Sequence, residues 1–342
     1  MAKTLRHWEL RTKEMIKQLK SNNPINYIVM FIVLCLLWIN KFYFMPQPTD
    51  EYIYSSYFFI NESESAIWKY FSTAIAFVVY LLIAILTIKI NFKIEMLESS
   101  YQTIGIFFLI LSGFFLNTQR IIPEMIACMF MYGAFFKLFY TYNKNKVNRY
   151  IFDAGLLFGL AILASHKFIF FFPLLIYVLS YICISLSFRE FVILLFGFLT
   201  PLVTATSIIY LYFDFNLYIN YIVKTIIQTK DRFSLGNVYV FSPIIIIAAT
   251  IIIYMFFIKE ERKIFSRKIR NIFVIISLYI MLLFIMPIAN NELIITLYLP
   301  LSFFLSKLCV NTHKIVSTLM FYGLIVVAVL LQILQLNQFG FF

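Results

Sequence analysis

Charge is scarce in this chain: only 13% of its 342 residues are charged, where an ordinary globular chain carries about a quarter. That shortage excludes a soluble fold, because 62% of the residues are hydrophobic and no soluble core absorbs so much apolar surface. No polar stretch is long enough for a separate soluble domain. The four cysteines, Cys35, Cys128, Cys183 and Cys309, show no CxxC or CxxH spacing, so they carry no zinc or redox signature. A phosphate-cradling glycine loop, a metal cluster and a Ser-His-Asp arrangement in context are also lacking. Chemistry driven by nucleotide hydrolysis is argued against on the same grounds.

What is present is a succession of apolar runs. A bilayer core about 30 Å thick takes roughly 20 apolar residues per helix, and such runs recur along the whole sequence. Eleven candidate spans lie near 25 to 45, 67 to 88, 102 to 117, 121 to 141, 150 to 164, 168 to 186, 190 to 213, 238 to 258, 272 to 289, 293 to 309 and 315 to 336. They are continuous rather than alternating every second residue, which points to helices and not to a membrane barrel. The expected fold is an all-α integral membrane bundle of about 11 transmembrane helices. Residues 25–342 form one polytopic domain with outer loops at 46–66 and 214–237. The weakest joint is at Ser165, His166 and Lys167, which reads either as a turn or as a kink in one long helix.

Net charge is +12, but the basic residues are interleaved with the apolar spans rather than gathered on one soluble face. They read as topology determinants and not as a nucleic-acid surface. With the N-terminus in the cytoplasm, twenty-one Lys and Arg fall on inner segments. Seven fall outside: Lys41, Lys69, Arg120, Lys167, Lys224, Lys230 and Arg232. Cytoplasmic loops retain positive charge, so this bias selects the orientation and supports the alternation. Residues 1–24, with Lys3, Arg6, Arg11, Lys13, Lys17 and Lys20, are too polar for the short basic region of a cleaved signal. They are expected to form a basic amphipathic cytoplasmic lead-in. The implied location is the cytoplasmic (inner) membrane, crossed many times.

The outer face carries the candidate chemistry. The first loop includes Pro48, Thr49, Asp50, Glu51 and Tyr52, and Thr49 or Asp50 suits the cap of a short surface helix. Asp50 and Glu51 then stand at the water boundary, where neighbouring acids gain proton affinity and one can serve as a general base. The plainer reading is that both acids favour the positive end of that helix. Between spans three and four, Arg120 precedes Glu124 by four residues. They read either as a salt bridge pinning the helix end or as a guanidinium turned to an anionic head group beside a functional acid. His166 and Lys167 follow at the same face, and Lys167 is either a phosphate contact or a lysine that snorkels to the head groups. The second loop holds Lys224, Lys230 and Arg232 beside apolar residues at helical spacing. It is an interfacial helix whose basic end gathers lipid phosphate, or an inert surface segment.

Taken in order, these stretches resemble the GT-C superfamily of polyprenol-dependent glycosyltransferases. Pro48, Thr49, Asp50, Glu51 and Tyr52 look like the proline-acidic-acidic-aromatic signature of that family's first outer loop. Arg120, Ile121, Ile122, Pro123 and Glu124 are similar to the arginine-to-glutamate opening of its fourth span. The segment from Ala154, Gly155 and Leu156 through Gly159, Leu160 and Ala161 to Lys167 resembles its glycine-spaced helix ending in an outer lysine. The resemblance runs over roughly residues 25 to 210, with a weaker echo near 287 to 300.

It implies inverting transfer of a sugar from a lipid-phosphate donor at the outer face. By that resemblance Asp50, with Glu51 beside it, takes the acceptor's proton. Arg120, Glu124, His166, Lys167, Lys224, Lys230 and Arg232 would surround the lipid phosphate or substrate. No cofactor is implied beyond the lipid-linked sugar, a divalent metal is left open, and the expected partners are membrane lipid and polyprenyl-phosphate sugar, not nucleic acid. The chain departs from the pattern at Asn290 to Pro300, where an expected arginine is missing, and in having no soluble outer domain. Those departures leave two alternatives: a non-catalytic membrane subunit or scaffold of an envelope complex, and, third, a transporter or flippase.

Overall fold

The structure is a computed structural model that describes residues 25–43, 66–94, 102–142, 144, 147–182, 187–212, 215–227, 264–285, 291–312 and 314–338. All regular structure among them is helical. In chain order the α-helices are α1 (Ile25–Tyr43), α2 (Ala66–Ile94), α3 (Thr103–Ser112), α4 (Pro123–Phe139), α5 (Asn148–Ala164) and α6 (Phe172–Ile182). They continue with α7 (Phe188–Tyr212), α8 (Phe215–Ile227), α9 (Ile264–Ile285), α10 (Ile295–Asn311) and α11 (Lys314–Gln338). Three 3-10 turns, Leu116–Thr118, His166–Phe171 and Asn291–Ile294, join or open them. Helices overlap ten of the eleven apolar runs. The run at 238–258, the lead-in at 1–24 and most of both outer loops lie outside the described residues.

Among the described residues three helices are long and apolar enough to cross a membrane: α2 over Tyr70–Phe92, α7 over Phe188–Tyr212 and α11 over Val316–Leu336. Shorter apolar helices accompany them, among them α1, α3 and α10. Large apolar side chains also stay on the outside. Examples are Phe31 and Leu36 on α1, Leu82 and Leu86 on α2, Phe196 and Val203 on α7, and Leu319, Val326 and Leu334 on α11. In water such contiguous apolar surface drives association; against lipid tails it costs nothing.

α3 and α10 form the centre. Every residue of α3 is buried, and α10 is buried on all sides from Ile295 to Leu305, as expected of helices that are apolar all round. They are tied by a hydroxyl pair, Thr103 Oγ1 with Ser306 Oγ. α1, α2, α4, α9 and α11 pack about them. In α10 the ring of Pro300 removes one backbone donor. Beside it the Tyr132 hydroxyl enters the helix ladder, accepting from Leu299 N–H at 3.3 Å and donating to the Ile295 carbonyl at 2.8 Å.

The second half of the bundle is built on backbone contact. A Cβ on Gly155 would lie 2.3 Å from the Leu194 carbonyl oxygen, one on Gly159 2.5 Å from that of Phe198, and one on Gly197 2.3 Å from that of Phe152. Gly155 and Gly197 therefore let the backbones of α5 and α7 meet, and Gly159 makes room for the Pro201 ring as well, the small-residue packing of membrane helices. The glycine spacing of residues 155 and 159 thus has a packing role. α4 and α5 run antiparallel: Lys137 pairs with Asp153 at 2.8 Å, and Gly133 lies against Leu157 one turn on. Polar contacts gather at two ends of the bundle, named here by their turns: the 120 end, between α3 and α4, and the 145 end, between α4 and α5.

Two run boundaries shift. The run at 102–117 is helical only to Ser112, and residues 113 to 122 turn irregularly through the interior. The run at 272–289 belongs to a helix that begins at Ile264, because a helix ladder needs no apolar side chains to start.

Candidate functional site

The irregular stretch 113 to 122 at the 120 end is buried except at Asn117, Arg120 and Ile121. Buried backbone without a helix ladder must find partners elsewhere. Two glutamines three residues apart on α11 supply them. Gln332 Nε2 donates to the Gly113 carbonyl at 2.5 Å and to the Leu37 carbonyl at 2.8 Å. Gln335 Nε2 donates to the Phe114 carbonyl at 3.0 Å while its Oε1 accepts from Leu116 N–H at 2.9 Å. Asn40 donates to Gln332 Oε1 at 2.8 Å, bringing the end of α1 into the same network. On the other side, Tyr80 donates to the Thr118 carbonyl at 3.2 Å. Thr118 Oγ1 lies 3.4 Å from the Tyr298 hydroxyl, and Ile121 N–H donates to Ser72 Oγ at 3.1 Å.

Deep in this network two polar atoms find no hydrogen-bond partner among the described residues, Gln119 Oε1 and Trp38 Nε1. Both residues are fully buried. Gln119 Nε2 lies 3.5 Å from the same Leu37 and Gly113 carbonyls that Gln332 serves.

The turn leads into α4 with Ile122 extended (φ −126°, ψ 148°) and Pro123 first in the helix, the position where its missing N–H costs nothing. Glu124 is therefore the second residue of α4, at its positive end, where a carboxylate is favoured. Its side chain is only 1% exposed. Arg120 precedes the helix in the turn and is half-buried, so the two do not share a helix face as their spacing of four suggests.

The antiparallel register of α4 and α5 brings the other predicted residues to this end. Pairs 137/153 and 133/157 step by four in opposite directions, so the start of α4, with Glu124, and the end of α5, followed by His166 and Lys167, lie at the same end of the helix pair. There the chain breaks: Ser165 is extended (φ −145°, ψ 114°) and His166–Phe171 is a 3-10 turn, which settles that joint as a turn. His166 and Lys167 are buried, at 6% and 8% exposure. A snorkelling lysine would be far more open. Burial pushes the His166 pKa down to about 4, so near pH 7 the imidazole is neutral and acts as a hydrogen-bonding group, not as a cation.

α8 packs on this turn through Tyr218, whose hydroxyl lies 3.5 Å from His166 Nε2 with the rings edge to face at 6.0 Å. Lys224 lies on the same helix. Asp50, Glu51, Lys230 and Arg232 lie outside the described residues. No group of three or more His, Cys, Asp or Glu among the described residues could hold a metal ion. The arrangement thus offers a buried carboxylate, a neutral imidazole, a buried ammonium and a half-buried guanidinium at one end of two paired helices.

No protein-family model matches this sequence, and no curated protein or solved structure is similar to it.

The sequence reading passed over Gln332, Gln335, Asn40, Tyr80, Thr118 and Tyr298. Their signal was available: two amides three residues apart inside an apolar run must face something polar in the bundle.

Proposed function

We propose that the chain is an eleven-span protein of the cytoplasmic membrane with its N-terminus inside, and that its 120 end is the extracytoplasmic site of a GT-C-like glycosyltransferase. The donor is a lipid-phosphate sugar. Asp50, with Glu51, takes the acceptor's proton, since a hydroxyl is a poor nucleophile until a carboxylate removes it. Lys167 and Arg120 hold the leaving phosphate, the guanidinium in a two-pronged way. Glu124 orients them, and His166 hydrogen-bonds in its neutral form. Lys224, Lys230 and Arg232 draw the anionic donor toward the site. The supporting observation is that the Arg120–Glu124 turn and the His166–Lys167 turn lie at the same end of the antiparallel α4–α5 pair, with Glu124, His166 and Lys167 buried. Ionisable groups are costly at such depth and mark sites when they persist.

The test is transfer from radiolabelled polyprenyl-phosphate sugar in membranes carrying the full-length protein. Asp50→Ala abolishes transfer, and Glu124→Gln lowers it about 100-fold. Unchanged transfer in Asp50→Ala sinks the assignment.

A second reading, a carrier or flippase, is favoured by one observation: the passage from α3 to α4 is interrupted inside the bundle and held by amides, a device of transport proteins. Liposome flux of a lipid phosphate that depends on Glu124, with no sugar transfer, would select it.

A further inference from the structure

The 145 end gathers cations on aromatic faces. Lys268, early in α9, lies 5.4 Å from the centre of the Tyr142 ring and 5.9 Å from that of Tyr181. Its ammonium donates to the Tyr181 carbonyl at 3.2 Å. Tyr142 stacks on Phe265 at 4.3 Å between centroids. Asn271 donates to the Tyr181 hydroxyl at 3.0 Å and accepts from the Arg270 guanidinium at 3.3 Å. The loop after α4, the end of α6 and the start of α9 therefore build one patch. On that loop Lys144 stands 4.6 Å from the centre of the Tyr150 ring.

The two acids whose side chains are described at this end are both engaged elsewhere. Asp153 is held by Lys137 at 2.8 Å. Glu190 accepts from Ser187 N–H at 3.0 Å, closing its own helix start. Arg267 is exposed and Arg270 half-buried, and burial together with Arg267 holds the Arg270 pKa below its ordinary value. Like charges set this close repel, as Arg267 and Arg270 do, and an anion seated beside them would lessen that repulsion.

We propose that this patch is a head-group site for an acidic phospholipid, with Arg267, Lys268 and Arg270 on the phosphate. Arginine matches phosphate oxygens in a two-pronged way. Tyrosine rings sit at the depth where head groups begin, and an anionic leaflet attracts juxtamembrane cations. Tyr142 and Tyr181 hold Lys268 in place, so the site is preformed. The inference rests on the bilayer and orientation part of the reading above, not on the transfer reaction.

The experiment is native mass spectrometry of the full-length protein in mild detergent with phosphatidylglycerol or phosphatidylcholine added. Phosphatidylglycerol is retained and phosphatidylcholine is not. Arg267→Gln/Lys268→Gln/Arg270→Gln loses about tenfold or more of that retention. Lys89→Gln, which removes one positive charge from exposed Lys89 on α2, does not, and the single Arg267→Gln, matched to it in charge, does lower retention. Should the triple variant fail to fold, Arg267→Gln/Arg270→Gln is read instead, because Arg267 is exposed. Equal retention of both lipids, or undiminished retention in the arginine variant, overturns the proposal. So does full competition by inorganic phosphate, which would make the patch a site for a soluble anion. Sugar transfer is assayed separately, so loss of the lipid effect with transfer intact rejects this site alone.

Discussion

α7 and the C-terminal half of α11 are both apolar helical segments lying at the edge of the bundle, yet they are held by opposite means. α7 is fixed by shape: Gly155, Gly159 and Gly197 remove the side chains between it and α5, and backbone touches backbone. α11 is fixed by polarity: Gln332 and Gln335 reach inward and complete the hydrogen bonds of an interrupted α3. In an apolar surround burial alone gives no reason for one helix to prefer another over lipid. What locates a helix is therefore either a close approach that only small residues permit or a polar group that only one neighbour satisfies.

The largest break in this contrast is expected from Gly155→Leu. Even a Cβ there lies 2.3 Å from the Leu194 carbonyl oxygen, so the longer side chain forces α5 from α7. The cost is about 3 kcal/mol or more. An unfolding midpoint in a detergent titration equal to wild type would show that the seam does not hold α7. Gln332→Leu comes next. It deprives the Gly113 and Leu37 carbonyls of their nearer donor, leaving only Gln119 Nε2 at 3.5 Å, at a cost of about 1–2 kcal/mol, read in the same titration, with faster proteolysis near residue 113 as the local sign. Wild-type behaviour in both readouts would mean that the amide network is dispensable. The smallest effect is expected from Gly323→Ala on α11, where nothing lies within 4 Å of an added Cβ. A change within about 0.5 kcal/mol sharpens the contrast by showing that glycine matters only where a neighbour presses on it.

Helix existence was legible in the sequence because apolar continuity is a strong signal, and the turn at 165–167 was visible as a polar break. Two boundaries were not. Charges at Arg267, Lys268 and Arg270 hid the start of α9, and the apolar residues Phe114, Phe115 and Leu116 concealed that α3 ends at Ser112. Their burial follows from the glutamines of α11, more than two hundred residues away, and no local pattern carries that. At the candidate site, Glu124 and Lys167 were named from charge in apolar context. That they reach the same end follows from the α4–α5 register, which the sequence implied only through the short connection between the two helices. The amide network was missed because neutral polar residues were weighed less than charges, although in a low-dielectric interior an unmatched amide is nearly as demanding.

Tyr132 has one further consequence. Its hydroxyl lies between two backbone groups of α10 one turn apart, beside Pro300, so α4 and α10 share a joint rather than a mere contact. Turning α4 about its axis would pull the bolt from that joint and cost the hydroxyl both of its backbone partners. The rotation of α4 that carries Glu124 at its start and Lys137 near its end is thereby tied to α10 from a point between the two.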